Sequence, residues 1–255
     1  MSTNGRILSV NNLSVSFVRW GQEVQALQSV SFEVTKGEWL ILVGPNGSGK
    51  STLLNVLSAR LDPNQGEIQL NGRTIGDMSA QDMAENAFYV HQNPLLSAAP
   101  TLTLYENLLV SDIHSHHRSE KKAQLLEKYT ALLEPLGLSG RMKQPAKTLS
   151  GGERMLLGLT IARLRPGSLI LLDEPFASLD PGKLELCLKS ISDLNALGKT
   201  IIQVSHDPEV ATTLGTRTLV LNQGQLSLDV SGTKRSTIDI QAHWYTTTEK
   251  SSVHV

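Results

Sequence analysis

Apolar positions follow a period that changes along the chain. Through the first third they alternate with polar ones, at Leu13, Val15 and Phe17 and again at Val30, Phe32 and Val34, which is the two-residue step of a half-buried strand. Trp39-Leu40-Ile41-Leu42-Val43 is an unbroken apolar run, and Glu67-Ile68-Gln69-Leu70 runs into the turn pair Asn71-Gly72. Phe88-Tyr89-Val90 predicts a short strand that ends at the polar junction His91-Gln92-Asn93-Pro94. From about Leu102 to Leu164 the pattern is helical. Leu125, Leu126, Tyr129, Leu132, Leu133 and Leu136 recur at three- and four-residue steps, with Ser119 as a cap and Pro135 and Gly137 as a stop. Three short apolar runs follow at wide intervals, residues 169–172, 200–204 and 218–221, with a helical face of Leu184, Leu188, Ile191 and Leu194 between the first two. Asn222-Gln223-Gly224-Gln225 then turns into a last strand. Continuous apolar strands alternating with helices predict a parallel sheet covered on both faces. Residues 232–255 are rich in Ser, Thr and Lys without a clear period, and a loosely held tail is expected.

Composition narrows the partners. The 255 residues are 40% hydrophobic and 18% charged, in the range of ordinary globular domains. A net charge of −1 gives no general pull towards nucleic acid or anionic membrane, and no nucleic-acid partner is expected. Cys187, the single cysteine, excludes an internal disulfide and sits in an apolar helical pattern that points to packing. The first six residues lack the apolar segment of a secretory signal. No run approaches the roughly 18 apolar residues of a membrane helix, so a membrane role is expected to come through a partner.

Chemistry concentrates in three places. Gly44-Pro45-Asn46-Gly47-Ser48-Gly49-Lys50-Ser51-Thr52 follows the first apolar run and fits the phosphate-binding loop G-x-x-x-x-G-K-[ST]. Its glycines let the backbone wrap an anion, and the helix beginning near Lys50 adds N–H groups and partial positive charge. Lys50 then places a charge between the outer phosphates of a nucleoside triphosphate, and the Ser51 hydroxyl can ligate Mg²⁺. Asp173-Glu174 follow a buried strand at its carboxyl end, where α/β sheets take ligands. Asp173 is placed to hold Mg²⁺ and Glu174 to deprotonate a water. Leu149-Ser150-Gly151-Gly152-Glu153 opens a helical run. It has the spacing of a capping box, yet two glycines at a helix start also expose N–H groups to an anion. Two anion-binding helix ends in one chain need not meet within that chain. His114, His116 and His117 sit in a polar link and read as a solvated loop, and Lys121-Lys122 as a helix surface.

The phosphate loop, Gln92, Leu149-Ser150-Gly151-Gly152, Asp173-Glu174-Pro175, Ser178-Leu179-Asp180 and His206 stand in the order found in ABC (ATP-binding cassette) ATPases. The chain resembles that family from about residue 7 to 230. The resemblance implies a P-loop NTPase (RecA-like) α/β fold: a parallel-sheet core, an N-terminal antiparallel β subdomain and a helical subdomain. The cassette would be 1–231, the helical insertion about 93–164 and the tail 232–255. It also implies a head-to-tail homodimer or pseudo-dimer holding two ATP. Lys50, Ser51, Gln92, Asp173, Glu174 and His206 would act on one ATP, with Gln92 touching Mg²⁺ or the attacking water and His206 orienting Glu174. Ser150, Gly151 and Gly152 of the partner would close over its γ-phosphate, and Asp180 would lie across the seam. Trp20 fits the family's adenine-stacking position better than Phe17, which shares the alternation of Leu13 and Val15. The sequence departs from the family at Glu153, where Gln is commoner, and at Arg154-Met155, where a second Gln often sits.

One cassette without membrane helices is most similar to the ATPase subunit of a bacterial importer, peripheral on the cytoplasmic face of the inner membrane. It would work with an integral membrane permease and an extracytoplasmic solute-binding protein. Residues 92–107 and 228–232 resemble importers linked to aromatic amino acids. The rival class is a soluble ABC ATPase acting on ribosomes or DNA. A nucleotide kinase or GTPase on the same core is opposed by the Ser150 motif and His206.

Overall fold

The computed structural model describes residues 5–93, 96–112, 121–177, 179–232 and 237–245. In chain order the elements are β1 (Arg6–Arg19), β2 (Gln22–Thr35), β3 (Trp39–Val43), α1 (Lys50–Leu57), β4 (Gln65–Leu70), β5 (Arg73–Thr74), α2 (Ala80–Asn86) and β6 (Ala87–Val90). They continue with α3 (Leu104–Ser111), α4 (Lys122–Leu133), α5 (Gly151–Leu164), β7 (Leu169–Asp173) and α6 (Pro181–Ala196). The last are β8 (Thr200–Ser205), α7 (Pro208–Thr213), β9 (Arg217–Asn222), β10 (Gln225–Ser231) and α8 (Thr237–Tyr245). They divide into two compact units, residues 1–83 with 200–255, and residues 84–199. The second unit is wider than the expected insertion at 93–164, because β6, β7 and α6 belong to it.

In the first unit, β3 lies between β8 and β9 and is parallel to both, with β10 antiparallel at the outer side of β9. All residues of β3 and β8 are buried. A strand covered on both faces loses the polar alternation, which is why these segments read as continuous apolar runs. Buried Gln203 in β8 has its Oε1 satisfied by Trp39 Nε1 at 3.2 Å. The antiparallel sheet has the order β2-β1-β4-β5, and the outer half of β2 alternates buried and exposed positions as its sequence predicts.

In the second unit β6 and β7 run parallel, Phe88 opposite Ile170 and Val90 opposite Leu172. Helix α5 is buried without a break from Met155 to Ala162, as befits the central helix of its unit. On α4 the buried stripe is Leu125, Tyr129 and Leu133, while Leu126 is exposed. The stripe is narrower than its leucines imply. Lys121 is the residue before α4, and the predicted cap Ser119 lies outside the described residues.

Within the expected tail the described stretch is helical. Residues 237–245 form α8, with Ile240 fully buried and the His243 carbonyl accepting from Asn222 Nδ2 at 3.3 Å. A helix this short is held by docking rather than by its own propensity, so no period in its sequence announces it. The short helices α2 and α7 escape the sequence pattern for the same reason.

Candidate functional site

The first unit builds the phosphate loop between β3 and α1. A Cβ on Gly44 would sit 2.0 Å from the Leu221 carbonyl oxygen, and one on Gly49 would sit 2.4 Å from that of Ala26. Gly49 also has φ +105, a left-handed conformation that favours glycine. The loop is thus wedged between β2 and the end of β9, and the Gly224 N–H pins it by donating to the Ser48 carbonyl at 3.0 Å. Gly49 gives α1 no side-chain cap, and no acidic residue stands in its first turn. Ser48 is buried, and its hydroxyl has no hydrogen-bond partner among the described residues. Lys50 is also buried, its Nζ donating to the Gly44 and Pro45 carbonyls at 2.7 and 2.9 Å. Asn46, Gly47 and Ser51 are exposed, while Pro45, Gly49 and Thr52 are half-buried.

Register brings His206 to this loop. Val43, the residue before Gly44, is level with Ser205, the residue before His206, on adjacent parallel strands. His206 is exposed there. Trp20 is fully exposed at the tip of the β1–β2 hairpin, in a left-handed conformation (φ +54). Phe17 is half-buried and pairs with Val24.

The second unit gathers another cluster. Asp173 ends β7, is buried, and accepts from the Tyr89 hydroxyl at 2.9 Å. Glu174 has φ +48, a conformation that costs a non-glycine residue about 1 kcal/mol or more and collects at functional sites. Its Oε2 accepts a long bond, 3.4 Å, from Nε2 of exposed Gln92. Each lies two residues beyond the paired Val90 and Leu172, so the two leave neighbouring parallel strands at the same level. Cys187 lies beneath, its Sγ 3.7 Å from the Pro175 carbonyl, and burial pushes its thiol up to about 12. It packs, as its sequence context implies.

Helix α5 starts in a complete capping box. The Ser150 hydroxyl accepts from the Glu153 N–H at 3.2 Å, and the Glu153 carboxylate accepts from the Ser150 N–H at 2.8 Å. Arg141 Nη1 joins the same carboxylate at 2.7 Å. Backbone donation from Ser150, followed by the Arg141 contacts, holds the Glu153 carboxyl below its ordinary range. Ser150 and Gly151 are exposed, and a Cβ on Gly151 would meet nothing within 4 Å. A Cβ on Gly152 would press on the Lys183 and Leu179 side chains at 3.1–3.2 Å. Asp180 is exposed and caps α6, accepting from the Lys183 N–H at 3.0 Å.

The structure therefore joins Gly44–Thr52 with His206, and Gln92 with Asp173 and Glu174. Sequence reasoning missed Tyr89 and Arg141. A tyrosine in a buried strand needs a partner for its hydroxyl, but the register that supplies Asp173 is a tertiary fact. The histidines 114, 116 and 117, with Ser178, lie outside the described residues. Among the described residues no three His, Cys, Asp or Glu side chains cluster as a metal site.

Residues 27–177, more than half of the chain, match the family described as ABC transporter. The chain is 34% identical to the uncharacterized ABC transporter ATP-binding protein YvrO of Bacillus subtilis, covering 89% of this chain and 98% of that one. It is 31% identical to the tyrosine transport ATP-binding protein of Clostridioides difficile, covering 92% and 96%. The osmoprotectant import ATP-binding protein OsmV of Salmonella typhimurium is 31% identical over 86% of this chain, which spans 57% of that relative. Among solved structures, a nucleotide-free ATP-binding cassette from an ABC transporter superposes with TM-score 0.71 at 27% identity, over 89% of this chain and 92% of that one. A dimeric cassette in a post-hydrolysis state, bound to ADP and Pi, shares the fold with TM-score 0.78 at 24% identity, over 88% and 98%. The parallel strands around β3, the N-terminal antiparallel sheet and the helices of the second unit are those of a P-loop NTPase, and the chain belongs to the ABC transporter family as an ATP-hydrolysing cassette.

Proposed function

We propose that the chain is the energy-coupling ATPase subunit of a membrane transporter, pairing head to tail around two ATP and driving a separate permease. The observation that carries this is the open N-terminus of α1, uncapped, backed by the unpartnered Ser48 hydroxyl and fronted by Lys50. ATP phosphates would take the loop N–H groups, and Lys50 would exchange its loop carbonyls for phosphate oxygens. Ser51, Gln92 and Asp173 are oxygen donors, which suits Mg²⁺, a cation that takes few protein ligands and completes its shell with phosphate and water. When bound, Mg²⁺ neutralises charge on the β- and γ-phosphates.

Glu174 would take the proton from a water as its oxygen bonds to the γ-phosphorus and the bond to the ADP oxygen breaks. Gln92 supports the Glu174 carboxylate from one side, and His206 would meet the γ-phosphate. Ser150, Gly151 and Gly152 of the other subunit would close the pocket, and the open space over Gly151 suits such an approach. Asp180 would lie at the seam. The whole of 1–231 would act as one cassette, with residues 93–164 as the helical part that passes motion to the permease.

For the adenine ring, Trp20 is exposed and available, but a second reading has geometric support. Gly49 lies against Ala26 of β2. Val24, the partner of Phe17, is two residues away (about 7 Å), while Gln22 at the hairpin end is four away (about 13 Å). Phe17 is the nearer aromatic to the loop.

No described helix is long and apolar enough to cross a membrane, so attachment to the cytoplasmic face of the inner membrane would run through the permease. The osmoprotectant import relative supports an importer, and the tyrosine transport relative supports an aromatic amino acid as solute; an extracytoplasmic solute-binding protein would complete such a system. Glu174→Gln tests the core of the proposal. Hydrolysis should fall by about a hundredfold or more while ATP drives a stable dimer, read by light scattering. A variant that stays monomeric in saturating ATP, or that turns over normally, would overturn it. Co-purification of a permease tests the transporter assignment.

A further inference from the structure

Helix α5 opens with a negative charge at a place the proposed reaction reserves for an anion. The positive end of a helix attracts a carboxylate and a phosphate alike, so Glu153 at its third position competes with the partner's γ-phosphate and repels it. The charge does not stand alone. Glu153 Oε2 accepts from Arg141 Nη1 at 2.7 Å and from the Ser150 N–H at 2.8 Å. Arg141 is itself fixed in place: Nε donates to Gln144 Oε1 at 2.7 Å and Nη2 to the Thr148 carbonyl at 3.2 Å. Both partners are mostly covered, with side-chain exposures of 28% and 20%. Arg154, the first cation within α5, donates instead to the Leu149 and Lys147 carbonyls, on the backbone leading into the helix. The pair leaves the N–H groups of Gly151 and Gly152, which have no acceptor within the helix, as the face presented to an anion.

We propose that Arg141 is a positioning residue for the shared nucleotide: it neutralises Glu153 and holds its carboxylate back on Ser150, so that the N-terminus of α5 accepts the partner subunit's triphosphate. This rests on the head-to-tail reading above. At this position the chain pairs an acid with a base that cancels it.

The test uses the full chain carrying Glu174→Gln, with ATP-driven dimerisation measured by light scattering at low and high salt. Arg141→Gln should weaken dimerisation about tenfold at low salt, the size expected of one uncompensated charge near the phosphates. The deficit should shrink at high salt as that charge is screened. Adding Glu153→Gln should restore most of the loss. ATP binding to the single subunit, read with a fluorescent ATP analogue, should be unaffected, since the phosphate loop is intact. A loss that persists in the double variant and ignores salt would mean a structural role only and overturn the inference, as would no loss at all. If Arg141→Gln does not fold, Arg141→Lys keeps the charge and should dimerise normally; failure of that folded variant would overturn it too. If the Glu174→Gln parent itself does not dimerise, the head-to-tail reading fails first and this inference falls with it.

Discussion

Helices α1 and α5 both have glycine at their start, as the N-cap of α1 and the first residue of α5, and they begin in opposite ways. At α1 the chain provides no cap: Gly49 stands at the N-cap with no side chain, and the first turn carries no acid. At α5 the cap is complete, Ser150 and Glu153 satisfying each other and Arg141 neutralising the acid. The glycines differ as well. Gly44 and Gly49 are glycine because backbone oxygens lie within 2.0–2.4 Å of where a Cβ would be, whereas a Cβ on Gly151 would meet open space. The first helix start is shaped by its own unit into an anion cradle that is incomplete without a ligand. The second is a finished piece of local structure, and the open space over its glycine leaves room for the approach proposed above.

Matched substitutions separate the two. Gly44→Ala should have the largest effect, since the methyl collides with backbone that cannot yield. We expect ATP binding to the single subunit to fall below detection by calorimetry, with a lowered melting temperature. Gly151→Ala should leave the fold and single-subunit ATP binding in place and lower hydrolysis by about tenfold or more, because only the approach of the other subunit is blocked. If Gly151→Ala impaired the isolated subunit as Gly44→Ala does, the contrast would be false.

Smaller effects sharpen the picture of the finished cap. Ser150→Ala removes one acceptor at α5 and should cost about 1 kcal/mol of stability, measurable by denaturant titration. The Glu153 carboxyl is held below its ordinary value of 4.5, so its contribution is complete above about pH 4.5 and lost as pH falls through the lowered folded value. Glu153→Gln should therefore flatten the acid limb of the stability curve below about pH 4.5. Smallest of all, Cys187 should stay inert to a thiol reagent at neutral pH until the protein unfolds, because burial pushes its thiol up to about 12.

What could be read from the sequence follows the length scale of each interaction. The phosphate loop and the Ser150–Glu153 box lie within nine residues or fewer, and both are present as read. β3, β7 and β8 were legible because burial on both faces leaves no polar alternation. The left-handed turn at Glu174, the Tyr89 bond to Asp173 and the Arg141 bond to Glu153 were not, because each depends on how separate segments come together. The same holds for α8, which exists through docking of Ile240. Trp20, chosen by its position in the chain, stands fully exposed at a hairpin tip, while Phe17 is paired within the sheet.

The sequence by itself determined the chemistry available: a glycine-rich turn into a helix, a carboxylate pair after a buried strand, and a second glycine-started helix. These need only local backbone geometry and a short run of side chains. Which of those groups become neighbours was decided by tertiary structure. Parallel register set Ser205 level with Val43 and paired Val90 with Leu172, and so delivered His206 to the phosphate loop and Gln92 to Glu174. Register is fixed by burying whole faces of strands far apart in the chain, and no local spacing encodes it.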